Sequence, residues 1–153
     1  MDAPTGISPT HSNYKEAAAV CIFYRNTVCL SRRINVCPLN GQPVDFPGHW
    51  APFGGIIEPN ENPMVAACRE LKEESQIEIE ISDLEYMESI TNADGSTYIL
   101  YAYHTDSLIL PLLNFEHTEY GYFLLDEEFA GLSPLCPHVQ NAILSYEARR
   151  WKG

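Results

Sequence analysis

The sequence predicts an α/β fold, a mixed sheet with helices on its faces. Strand-type runs dominate the chain, one amphipathic helix is inserted among them, and a second helix is appended at the C-terminal end. The length of 153 residues is that of one ordinary domain, long enough to bury a core without disulfide staples. A hydrophobic fraction of 45% and a charged fraction of 20% match a soluble globular chain and exclude wholesale disorder.

The elements follow in order. Residues 1–14 are polar, contain two prolines and a glycine, and read as a flexible arm; 15–153 read as a single folded domain. AAAVCIFY at 17–24 has the composition of a buried strand. Arg25-Asn26-Thr27 makes a turn, and VCLSRR at 28–33 is the hairpin partner. VCPLNGQPVDFPGH at 36–49 carries three prolines and two glycines, a long loop of the kind that often has a function. Trp50–Phe53 is a short strand ending at Gly54-Gly55. Asn62 is placed to cap a helix with Pro63 at its first position, and that helix runs to about Gln76. Strands are expected near 77–81, 84–90 and 97–104, with Asp94-Gly95 as a hairpin turn between the last two. One more strand falls near 119–125, and 137–151 is the second helix. There is no repeat and no low-complexity tract.

Charge narrows the partners. The formal net charge is −12, with nine Lys and Arg against 21 Asp and Glu. Affinity for a nucleic-acid backbone rests on cations neutralising phosphates, so duplex DNA and long RNA are not expected partners. A small anionic substrate stays open if something positive sits in the site, and a bound metal ion is the simplest such group. The five cysteines, Cys21, Cys29, Cys37, Cys68 and Cys136, are odd in number and show no C-x-x-C spacing. Free, mostly buried thiols in a reducing compartment fit better than a disulfide framework or a zinc site, with a catalytic thiol as the alternative. The N-terminal stretch lacks the apolar run of a signal peptide, and no run approaches a membrane span. The expectation is a cytoplasmic protein without a membrane partner. A homodimer is compatible with the sequence.

The inserted helix carries the chemistry. On a wheel of 3.6 residues per turn, Met64, Ala67, Cys68, Leu71 and Ser75 form a core-facing stripe. Glu70, Glu73 and Glu74 group on another side, centred roughly 130° away. At about 6 Å and an effective dielectric near 20, each pair of such charges costs roughly 3 kcal/mol. The trio either faces open water or holds a cation, and hard cations such as Mg2+ take oxygen ligands. A solvated acidic face is the ordinary alternative. Gly54-Gly55 lets backbone come close to a ligand, and Arg69 stands where it can brace Glu61 or Glu73 by paired hydrogen bonds. An ordinary surface ion pair is the other reading of Arg69.

Taken together, Gly55, Glu61, Arg69, Glu70, Leu71, Glu73, Glu74 and Ile77 resemble the Nudix box, G-x5-E-x7-R-E-U-x-E-E-x-G-U, with U an aliphatic residue; here it reads GIIEPNENPMVAACRELKEESQI. At residue frequencies near one in fifteen, a chance match of its six fixed glycine and charged positions is roughly one in 10^5, so the match is specific. Gln76 departs from the pattern, standing where a glycine would end the helix in a left-handed cap. Outside the box, Trp50-Ala51-Pro52-Phe53-Gly54-Gly55 is similar to the family's W-x-x-P-G-G, with Phe53 in place of Pro.

The resemblance implies an α/β/α sandwich around a central mixed sheet. It implies hydrolysis of a phosphoanhydride in a nucleoside diphosphate linked to another group, with Mg2+ as cofactor and Mn2+ as the alternative ion. Glu73 and Glu74 would be metal ligands, Glu70 a ligand or the base, and the carbonyl of Gly54 or Gly55 a further ligand. Glu61 and Arg69 would orient the trio. A later carboxylate, Glu116 ahead of Glu119, would complete the metal set. Arg33 and Arg32 are candidate phosphate contacts, with a solvated strand end as the alternative, and Trp50 and Phe53 are candidate substrate contacts. Tyr98, Tyr101 and Tyr103 have core packing as their ordinary reading and base stacking as the other. His117, beside Glu116, is the histidine to test first. No downstream signature of the ADP-ribose, NADH or coenzyme A branches is present, which points toward a compact nucleoside triphosphate pyrophosphohydrolase. An ADP-ribose or dinucleotide pyrophosphatase, a non-catalytic nucleotide-binding module and an acidic interaction protein are the alternatives.

Overall fold

The alternation in AAAVCIFY sends successive side chains to opposite faces of a strand. In the computed structural model, which describes residues 16–36, 38, 41, 46–136 and 138–152, this strand is β1, Glu16–Tyr24. Ala18, Val20 and Ile22 pack to one side with Ala66, Ala67 and Leu71; Ala19, Cys21 and Phe23 pack to the other with Val139, Ala142 and Ile143. Two cores on the two faces of one strand make an α/β/α sandwich. The arm expected at 1–14, Cys37, and positions 39–40 and 42–45 of the expected long loop lie outside the described residues.

Among the described residues the sheet has seven strands and both pairing senses. β6 (Thr97–Thr105) runs parallel to β1 along its whole length, and β5 (Glu85–Thr91) lies antiparallel on β6. The other edge of β1 is shared. Its first half, Ala17 to Val20, pairs with β4 (Phe53–Ile56), and its last residues, Ile22 to Tyr24, pair with β2 (Thr27–Arg33). β3 (Trp50–Ala51) pairs with the end of β2, so the chain crosses from β2 to β1 at Pro52. β7 (His117–Leu124) covers the far edge of β2. One helix, α1 (Pro63–Ser75), lies on the first face; α2 (Glu127–Ala130) and α3 (Val139–Lys152) serve the second. No helix among the described residues is long and apolar enough to cross a membrane.

Several local expectations change. Gly54 and Gly55 do not end a strand; they sit inside β4, opposite Ala19 and Ala18. A side chain on Gly54 would collide with the Ala18 carbonyl and Ala19, which explains why the strand tolerates glycine there. Residues 77–81 form no strand. Ile77 and Ile79 use their alternation to pack into the α1-side core, and the segment ends in a 3-10 turn at Ile81–Asp83. The short helix α2, capped by the Asp126 side chain, had no periodic signal because four residues are too few to show one. Cys21, Cys29, Cys68 and Cys136 are free, and burial raises the pKa of each, which makes them packing residues and poor nucleophiles.

The ends of α1 are set by local chemistry. Asn62 accepts a hydrogen bond from the Met64 N–H at 2.8 Å, with Pro63 at the first turn. At the other end Gln76 adopts the left-handed conformation, φ 65° and ψ 13°, and its N–H bonds to the Lys72 carbonyl. The left-handed cap therefore forms without the glycine, at a steric cost of about 1–2 kcal/mol. Gln76→Gly is expected to relieve roughly 1 kcal/mol of it and raise Tm by about 2–4 °C. An unchanged or lower Tm in a thermal melt would contradict that account of the cap.

Candidate active site

The site is built where the last turns of α1 cross β4. Glu74 is turned inward, only 2% exposed, and its Oε1 accepts the Gly54 N–H at 3.0 Å. Glu70 lies over Gly55, where any Cβ would strike its carboxylate. Glu73 points outward, with its side chain 56% exposed. The trio thus does not share one face as the wheel suggested. It spans the boundary from core to solvent.

Arg69 ties the outer part together. Its Nε and Nη2 grip both oxygens of Glu61 at 2.8 and 2.9 Å. Nη1 donates to Glu70 at 2.7 Å and to Glu73 at 3.3 Å, and Nη2 also donates to the Ile56 carbonyl at 3.1 Å. These contacts use every N–H of the guanidinium. Glu61 also accepts the Glu58 N–H at 2.9 Å.

The electrostatics divide along the same line. The Arg69 hydrogen bonds, helped by the Glu58 N–H, pull Glu61 down to about 2. Burial pushes Glu70 up to about 7; the Arg69 hydrogen bond opposes this, and repulsion from Glu74 and Glu73 adds to it. Burial pushes Glu74 up to about 8, with repulsion from Glu116 behind it and the Gly54 N–H and Arg33 opposing. Two carboxyls therefore resist ionising: burial is the main cause, and too little positive charge faces them to offset it.

That shortage, and a donor set made of hard oxygens, fit a divalent cation such as Mg2+. Among the described residues no three His, Cys, Asp or Glu side chains already converge as a metal shell. One oxygen of Glu70 and one of Glu73 are turned to Arg69.

The remaining candidates separate into groups. Glu116, in the turn before β7, lies close enough to Glu74 to raise its pKa, while its own backbone N–H and carboxylate are held by Asn114. Glu119 instead faces Arg32 across the strand pair at 3.5 Å, both half exposed. Arg32 also donates to the Gly48 carbonyl at 3.0 Å. The charge of Arg33 bears on both Glu74 and His117. Trp50 packs edge-on against Phe123 in one core, and Phe53, fully buried, packs edge-on against His117 in the other. Tyr101 is buried, and Tyr98 and Tyr103 pack against the cores. His104 bonds to the Tyr146 hydroxyl at 2.6 Å, away from this site. A cleft of about 590 Å3 on the outer flank of α1, lined by Val65, Cys68 and Lys72, meets the site only through Arg69. Ser31, which no motif marked, contacts His117 at 2.7 Å beside Glu74; only its parity in β2 could have hinted at its inward direction.

Comparison with known proteins agrees with this geometry. A family model for the NUDIX domain matches residues 14–139. No curated protein sequence matches the chain significantly. Among solved structures, the MutT protein of Methanosarcina mazei Go1 aligns with TM-score 0.70 and 18% identity, over 90% of this chain and 95% of that one. An Ap4A hydrolase of C. elegans, in a binary complex, aligns with TM-score 0.63 and 19% identity, over 90% and 99%. The NUDIX domain of Shewanella oneidensis NrtR, complexed with ADP ribose, aligns with TM-score 0.69 and 16% identity, over 90% and 88%. At such identities these structures share the fold with this chain.

The Arg69–Glu61 pair yields a pH prediction. A depressed folded pKa means the pair adds stability above the ordinary carboxylate range, and this stability is lost as pH falls toward about 2. Carbon-detected NMR should therefore show the Glu61 carboxyl titrating near pH 2, and Arg69→Met should return it toward about 4.3. A wild-type midpoint already near about 4 would contradict the bracing role.

Proposed function

This chain belongs to the NUDIX family, hydrolases of pyrophosphate bonds, and from that premise we propose that it cleaves a nucleoside diphosphate linked to another group, with Mg2+ as its cofactor and Mn2+ as a substitute. A nucleoside triphosphate, cut to a monophosphate and pyrophosphate, ranks first among substrates because the sequence carries no signature of the larger-substrate branches. The observation that carries the reading is Arg69 bracing Glu61, Glu70 and Glu73 while Glu74 is held over Gly54.

In this reading Glu73, Glu74 and the carbonyl of Gly54 or Gly55 would hold the cation, with Glu116, in the turn before β7, as the further carboxylate. When bound, the ion neutralises phosphate charge and acidifies an attacking water. Glu70 would accept the proton of the attacking water at its carboxylate. Glu61 acts through Arg69, fixing the guanidinium that orients Glu70 and Glu73. Arg33 supplies the phosphate contact, and a small nucleotide is the partner. The cytoplasm suits both a nucleotide substrate and free thiols at Cys21, Cys29, Cys68 and Cys136.

The test is a hydrolysis screen with Mg2+ over normal and oxidised nucleoside triphosphates, ADP-ribose, NADH, dinucleoside polyphosphates and nucleotide sugars. Turnover is expected, and Glu73→Gln or Glu74→Gln should lower it on the order of 10^2- to 10^3-fold while the fold persists. Full activity in either variant would contradict the assignment. Tight nucleotide binding with no turnover across the panel would favour a non-catalytic binding module instead.

A further inference from the structure

Three buried side chains from distant parts of the chain form a line ending on Glu74. Ser31 lies in β2, His117 opens β7, and Glu74 sits in the last turn of α1. The Ser31 Oγ is 2.7 Å from His117 Nδ1, and His117 Nε2 is 3.2 Å from Glu74 Oε1. The side chain of His117 is 1% exposed, and its Nε2 has no well-formed hydrogen bond. A buried polar nitrogen without a partner is rare enough to require a reason. Glu74 Oε1 lies within reach, and the edge-on contact of Phe53 at 5.3 Å helps hold the imidazole in place.

Ser31 is fully buried, so it cannot attack a substrate. Its hydroxyl can instead select the tautomer of the imidazole, since the bond made at one ring nitrogen decides what the other carries.

We propose that His117 is a positioning residue for Glu74: Ser31 donates its O–H to Nδ1, which leaves Nε2 protonated 3.2 Å from Glu74 Oε1. A small turn of the imidazole would complete that bond and, with the Gly54 N–H at 3.0 Å, give Oε1 two donors. The carboxylate is then fixed in rotation and its other oxygen is left for the divalent cation. This inference rests on the reading of Glu74 as a cation ligand. It adds a tautomer-setting pair, Ser31 and His117, that the box does not contain. Supports of this kind orient ligands elsewhere, and their loss weakens metal binding.

The test is Mn2+ titration of the whole protein, followed by electron paramagnetic resonance of free Mn2+, for wild type, His117→Phe and His117→Gln. The Phe side chain fills the space without a donor, whereas the Gln amide can replace the Nε2–H. His117→Phe should weaken Mn2+ binding by about 10- to 100-fold, and His117→Gln should restore most of the affinity. Nitrogen-15 NMR of the Mg2+-saturated wild type should show His117 protonated at Nε2. Wild-type Mn2+ affinity in His117→Phe, or an Nδ1–H tautomer in the wild type, would overturn the proposal while wild-type turnover leaves the hydrolase reading standing. A wild type that neither binds Mn2+ nor hydrolyses any substrate would overturn both.

Discussion

One guanidinium holds this site in shape. Arg69 reaches Glu61, Glu70, Glu73 and the end of β4, so the approach loop, α1 and β4 all depend on its planar fork. A lysine has three rotatable donors and could not reproduce that pattern. Even so, Arg69 does not balance the charge. Glu61, Glu70, Glu73, Glu74 and Glu116 gather around Arg69 and Arg33, and the inner carboxyls are driven toward their neutral forms. Such a surplus of buried acid destabilises the fold where no cation offsets it.

The sheet supplies the frame that makes the crowding possible. Because the edge of β1 is divided between β4 and β2, the chain between those strands crosses at Pro52 and delivers Gly54 and Gly55 under α1. Glycine at Gly55 leaves room for the Glu70 carboxylate, and Gly54 exposes an N–H to Glu74. On the neighbouring side, β7 pairs along β2 and brings His117 to Ser31 and Glu74. Backbone pairing fixes these distances more firmly than loops would.

Much of this was legible in the sequence, for local reasons. The box residues share one helix and its approach, so their spacing alone brings Glu61, Arg69 and Glu70 together. The strands expected at 17–24, 28–33, 84–90 and 97–104 appear within one residue of those ends, and β7 starts two residues before its expected start. What was not legible depended on long-range placement. A helical wheel gives angles between side chains but not the direction of the sheet, and Glu74 lies only about 20° from Ala67 on that wheel. The core stripe therefore extends to Glu74 and takes it inward. The pairing of Glu119 with Arg32 required the β2–β7 register, and the role of Ser31 required knowing which strand would bring His117 to it. The alternation at 77–80 was real but served packing rather than pairing, a choice made by the helix beside it.

The central claim is that the negative surplus beside Arg69 exists to hold a hard cation. The most direct measurement is anomalous diffraction at the manganese edge from crystals soaked in Mn2+. The account predicts a peak bounded by the carboxylates of Glu73, Glu74 and Glu116 and the carbonyl of Gly54 or Gly55. A map without density there, with Glu74 still packed against Gly54 and His117 at saturating Mn2+, would contradict it.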